Sequence, residues 1–129
     1  MTLELTYLIW SAGLGLVYLS VQAALYRRQI GIAEANTTRD NEPDPDLMAG
    51  RGNRALRNFL ETYGIFAALA AGVTLAGTSD WMTEWGCHLY FWARVVYLPL
   101  YIFGISPARS YVWTVSLLGL ILLFVGAVI

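Results

Sequence analysis

Four side chains able to hold an ionic ligand recur at helical spacing: Arg54, Arg57, Asn58 and Glu61. At i, i+3, i+4 and i+7 they share one helix face. The guanidinium groups and the amide offer donors to carboxylates, and Glu61 offers an acceptor to an ammonium group. Glu61 lies roughly 10 Å further along the helix than Arg54, at about 1.5 Å per residue. The face runs directly into an apolar stretch, Thr62 to Ala76. Ionisable groups at membrane depth are costly and face protein or a water-filled cavity. The plainer reading, an interfacial anchor reaching the headgroups, suits Arg51 and Arg57. It gives no use to Asn58 and Glu61.

A second set forms a polar stripe inside another apolar run. Cys87, Tyr90, Arg94, Tyr97 and Tyr101 fall within roughly 80° of one another on a 3.6-residue period. Arg94 stands about nine residues from either end of that run, near mid-membrane, where an isolated arginine costs at least ~2.5 kcal/mol. It therefore requires a partner. Glu61 is the expected one, being the other charged residue deep in the apolar segments. Such a pair serves structure and ligand binding equally well. A third set, Arg109 and Ser110, opens the last apolar run, with Trp113 and Ser116 on the arginine's face.

These sets must be positioned by membrane helices. The chain has 129 residues, 57% of them hydrophobic and 13% charged, and a mean hydropathy of +0.54. That is a membrane composition and leaves room for one domain. Four spans are expected, at residues 5–26, 54–76, 85–103 and 108–129, with a polar connector over 27–53. The first is read as a membrane helix, not a cleaved leader, because Glu4 and no basic residue precedes its long apolar run. In the second, Gly64, Ala68, Gly72 and Ala76 repeat every fourth position, which lets helix backbones approach closely and predicts central packing. A turn is expected from Gly77 to Trp85, with Trp81 and Trp85 at the interface. Pro99 kinks the third span.

Composition also excludes functions. The net charge of -1 gives no basic surface for nucleic acid. All eight basic residues are arginine, so there is no catalytic lysine. One cysteine, Cys87, excludes an internal disulfide, and it reads as packing. One histidine, His88, argues against a histidine metal site. The acidic run Asp40 to Asp46 lacks EF-hand spacing and reads as a solvated loop, so no metal is assigned.

The arginines orient the chain. Arg27, Arg28, Arg39, Arg51, Arg54 and Arg57 border or occupy the first connector, and Arg109 flanks the third. The positive-inside rule puts those connectors in the cytoplasm and both termini outside. Arg54, Tyr101 and Arg109 then meet at one leaflet.

Arg54-Ala-Leu-Arg57-Asn58-Phe-Leu-Glu61-Thr62 resembles the second-helix signature of the membrane-associated proteins in eicosanoid and glutathione metabolism, the MAPEG superfamily. Arg94-Val-Val-Tyr97-Leu-Pro-Leu-Tyr101 and Ser106-Pro107-Ala108-Arg109-Ser110 resemble its third- and fourth-helix signatures, and the Arg27-Arg28 pair sits where relatives keep a basic pair. The resemblance covers the whole chain and extends to the prostaglandin E synthase and microsomal glutathione transferase branches, in a compact bacterial form that implies a bacterial inner membrane. It implies an all-α four-helix membrane bundle assembled as a homotrimer, with glutathione as co-substrate. By the same resemblance Arg28, Arg54, Arg57, Asn58, Glu61, Arg94, Tyr97 and Tyr101 would bind glutathione, Arg28 (or Arg27) from the adjacent subunit. Arg109, Ser110 and Tyr101 would act on its thiol, and a lipophilic electrophile or hydroperoxide would enter from the bilayer. Tyr97 stands where the prostaglandin synthases have histidine, and the path from Tyr101 to Arg109 is one residue shorter, so no eicosanoid substrate is implied. A non-catalytic scaffold of the same fold is the alternative. A transporter would need a polar path through the whole bilayer, which the apolar runs Leu69 to Ala76 and Leu117 to Ile129 do not offer.

Overall fold

A computed structural model of the protein describes residues 1–35, 40 and 42–129, the side chains of residues 32 and 34 excepted. Asn36, Arg39 and Asn41, which the sequence assigns to the polar connector, lie outside the described residues. The chain forms α1 (Leu3–Ile30), the short α2 (Ile32–Ala35), α3 (Leu47–Ala76), α4 (Trp81–Ile102) and α5 (Ala108–Val128). The four long helices make an all-α membrane bundle. Helices α1, α3 and α5 are long and apolar enough to cross a bilayer. Helix α4, at 22 residues, has the length to do so but carries the charges and the tyrosine stripe.

Local chemistry sets the ends of these helices. Thr2 caps α1 by accepting from the Leu5 amide at 3.1 Å, and Arg27 and Arg28 occupy its last turn, where cations suit the helix dipole. Asp46 caps α3 through the Ala49 amide at 2.9 Å. Helix α3 therefore starts seven residues before the expected span, since Pro43 and Pro45 stop at its threshold and nothing after Asp46 breaks it. It closes on Gly77, at φ 68°. The turn expected over 77–85 is shorter. Asp80 and Thr83 form a reciprocal capping box, so Trp81, Glu84 and Trp85 already belong to α4.

The tightest seam joins α4 to α5. A Cβ on Gly86 would stand 2.7 Å from the Gly119 carbonyl oxygen, and one on Gly126 would stand 2.8 Å from Thr83 Cγ2. Backbones meet there as small residues allow. The stripe expected to do this in α3 does not do so within one chain. Gly64, Ala68, Gly72 and Ala76 are exposed, and a Cβ on Gly64 or Gly72 would meet no other element among the described residues. The opposite side of α3, with Phe59, Phe66, Ala70 and Val73, turns inward because its larger side chains bury more apolar area.

The core has two layers. Near one end Phe66 stacks on Tyr90 at 4.4 Å, with Cys87, Leu120 and Leu123 around them. Cys87 is thus a packing residue, as expected. Near the other end Tyr18 stacks on Phe59 at 4.6 Å, with Ala55, Tyr97 and Ile102. The first layer is tied across helices by polar groups. Glu4 is buried and accepts from Ser79 and Thr83 hydroxyls at 2.6 and 2.8 Å. Trp92 Nε1 donates to Tyr7 Oη at 3.1 Å, and Tyr7 Oη lies 2.6 Å from His88 Nδ1. An indole N–H only donates, so Tyr7 Oη accepts from Trp92, while the proton between Tyr7 and His88 follows the imidazole tautomer.

Candidate anion and thiol site

Arg94 sits between the two core layers and is fully buried. Its Nη1 donates to Asn58 Oδ1 at 2.7 Å. The expected ion pair with Glu61 is absent. Asn58 and Glu61 lie about 60° apart on α3, and the helix is rotated so that the amide, not the carboxylate, faces α4. Among the described residues Glu61 is exposed and has no hydrogen-bonding partner. The guanidinium of Arg94 also lies 4.9 Å from the Tyr97 ring centre and 5.7 Å from that of Tyr90. From α1, Tyr18 donates its hydroxyl to the Arg94 carbonyl at 2.6 Å. Arg94 Nε and Nη2 remain buried with no acceptor among the described residues. A buried cation left this way calls for an acceptor from outside the chain.

Two of the Arg94 contacts, Asn58 and Tyr97, open onto free space. A cavity of about 480 Å³ is lined by Asn58 of α3, Tyr97 and Tyr101 of α4, and Arg109, Ser110, Trp113 and Thr114 of α5. The Arg109 guanidinium lies over the Tyr101 ring, 4.7 Å from its centre, and Tyr97 and Tyr101 meet edge to face at 5.5 Å. Asn58 spends its oxygen on Arg94, which leaves its amide N–H groups to donate elsewhere. The cavity thus offers one guanidinium, hydroxyls and an amide to an anionic ligand, between helices and one side chain removed from the buried Arg94.

Of the three residues expected to meet at one leaflet, Tyr101 and Arg109 line the cavity and Arg54 does not; its stretch contributes Asn58 instead, beside Tyr97 and Ser110. Arg94 stands behind them. Four others are not brought in. Arg57 and Glu61 line a neighbouring depression of about 410 Å³ with Asn53, Leu56 and Leu60. Arg54 folds back along its own helix toward Gly50, and Arg28 is exposed at the end of α1. The polar face of α3 spans about 100°, and only its Asn58 edge points between α4 and α5. Trp113 and Thr114 were not predicted to join the site. Their signal was present, since they follow Arg109 and Ser110 by four residues and share their faces.

The model of the MAPEG family matches residues 7–129. The chain belongs to the MAPEG family. No curated protein and no solved structure matched it. Membership makes this MAPEG chain an integral membrane protein of eicosanoid and glutathione metabolism. Its cavity is built from the second, third and fourth long helices, all within the matched residues.

Proposed function

We propose that this MAPEG protein is a glutathione-dependent membrane transferase or peroxidase, working from the cytoplasmic leaflet. The observation that carries the reading is one cavity holding Arg109 over Tyr101, with the unused donors of Arg94 behind Asn58 and Tyr97. Arg94 and Asn58 would take carboxylate or peptide oxygens of glutathione. Arg109, always protonated, would favour the thiolate over the thiol without moving a proton itself. Tyr101 or Ser110 would donate a hydrogen bond to the sulfur.

The thiolate then attacks an electrophilic carbon of a lipophilic molecule. A C–S bond forms, and the bond to the leaving group breaks with its electron pair. With a hydroperoxide the sulfur attacks the distal oxygen and the O–O bond breaks. The products are an alcohol and oxidised sulfur, which a second glutathione converts to disulfide and water. An apolar groove of about 500 Å³ supports a lipophilic co-substrate: Ile65, Ala68 and Leu69 of α3 face Leu117, Ile121 and Phe124 of α5, along the seam that also holds the cavity. A homotrimer is supported by the exposed Gly64 and Gly72 of α3, at which an added Cβ meets no neighbouring element among the described residues. Arg28, Arg54, Arg57 and Glu61 would then complete the ligand shell from or toward a neighbouring subunit.

Calorimetric titration of glutathione into the detergent-purified protein tests this. Wild type should bind, and Asn58→Ala should bind at least about tenfold more weakly, the loss of one charge-assisted contact. Arg109→Ala should bind but ionise the thiol less. Folded wild-type protein that takes no glutathione would refute the proposal.

A further inference from the structure

Arg51 lies outside the cavity, yet it touches the segment that places Arg109. Its Nη1 donates to the Ile102 carbonyl at 3.1 Å. Ile102 ends α4, and that carbonyl is among the last four with no amide partner inside the helix. A cation there also meets the negative end of the helix dipole. The same guanidinium lies flat on the next turn of chain. A Cβ on Gly104 would stand 2.7 Å from Arg51 Nη2 and 2.8 Å from its Cζ. Gly104 has φ 66°, so both the backbone angle and the neighbouring arginine select against a side chain there.

The start of α5 depends on this turn. The Gly104 amide bonds to the Tyr101 carbonyl, Ile105 to Leu100, and Arg109 to Ile105, at 3.1, 2.9 and 3.1 Å. Helix α5 begins on Pro107 without a side-chain cap. Its first turn, which bears Arg109 and Ser110, is therefore set by the connector before it. Arg51 and Asn58 are seven residues apart and share one face of α3. Each grips α4, one at Ile102 and the other at Arg94, and Tyr97 and Tyr101 lie between the two grips.

We infer that Arg51 is a positioning residue, bracing the α4–α5 connector so that Arg109 stands over Tyr101 at the cavity. Its link to thiol activation rests on the function proposed above; the brace itself does not. Arg51→Met removes the donor and keeps most of the stem. Gly104→Ala keeps the charge but displaces the guanidinium.

Hydrogen exchange on the intact protein reads the brace directly. In Arg51→Met the amides of Gly104, Ile105 and Arg109 should exchange on the order of tenfold faster, as loss of one charged hydrogen bond predicts. Thiol ionisation of bound glutathione against pH reads its consequence. The midpoint should rise by roughly one pH unit in both variants while affinity stays within about threefold, because an arginine moved off the sulfur stabilises thiolate less. Arg51→Lys should recover part of the effect. Unchanged exchange in folded Arg51→Met overturns the inference. So does a midpoint shift in Arg51→Met that Gly104→Ala fails to reproduce, since that pattern makes Arg51 a distant charge and not a brace. If wild type binds no glutathione, the proposed function alone fails, and the exchange comparison still decides for or against the brace.

Discussion

At the level of single residues, the decisive contact is Arg94 to Asn58. An ammonium or guanidinium group buried with one neutral partner is held at a cost. Removing that partner leaves three unfilled donor sites around a buried charge. Asn58→Leu should therefore destabilise the folded protein by about 3 kcal/mol, the order seen when a buried charge loses its partner. Thermal unfolding in detergent, followed by far-ultraviolet circular dichroism, checks this. Glu61→Gln should leave the same melting profile within about 0.5 kcal/mol, as exposed sites without partners do. A large loss with Glu61→Gln and none with Asn58→Leu would restore the ion pair that charge counting suggested. The sequence made Arg94's need for a partner plain, because depth and charge alone impose it. It did not reveal which of two α3 residues about 60° apart would meet that need. Periodicity defines a face; the rotation of that face toward α4 is decided by Phe59 and Phe66 entering the core.

Four membrane helices, their order and the three stretches that build the cavity were all legible, since each rests on hydropathy and spacing. The close seam was not. Small residues repeating every fourth position point to α3, and the seam lies instead between α4 and α5, at Gly86, Gly119 and Gly126. Two of those glycines stand in an apolar run with no regular four-residue repeat to mark them, and the third sits among aromatics. Gly119→Leu should drive those backbones apart and cost about 3 kcal/mol or more, the upper range for overpacking. Because Thr114 and Trp113 lie on the same helix, it should also weaken ligand binding at the cavity. Proteolysis rates and calorimetry on one preparation test both effects.

For the molecule as a whole, the exposed stripe of α3 and the asymmetry of its arginines make separate predictions. Gly64→Leu should leave the single-chain fold intact, because among the described residues no other element stands within 4 Å of the added carbon. It should nonetheless reduce self-association in detergent, measured by light scattering. Equal association by wild type and Gly64→Leu would remove that stripe from any subunit contact. Orientation is open to chemical labelling. A thiol-reactive, membrane-impermeant reagent should reach Asp44→Cys only from the cytoplasmic side and Thr78→Cys only from the other, as the arginine distribution requires. Cys87, buried in the core, gives no background. The far end of the bundle from the cavity holds one more such opportunity. Trp92, Tyr7 and His88 are strung in one hydrogen-bonded chain, and the sequence has a single histidine. Its two ring nitrogens would therefore give one assignable pair of resonances with no other histidine to overlap them, a natural magnetic beacon at the opposite face of the membrane, able to tell whether filling the cavity is felt through the helices that join them.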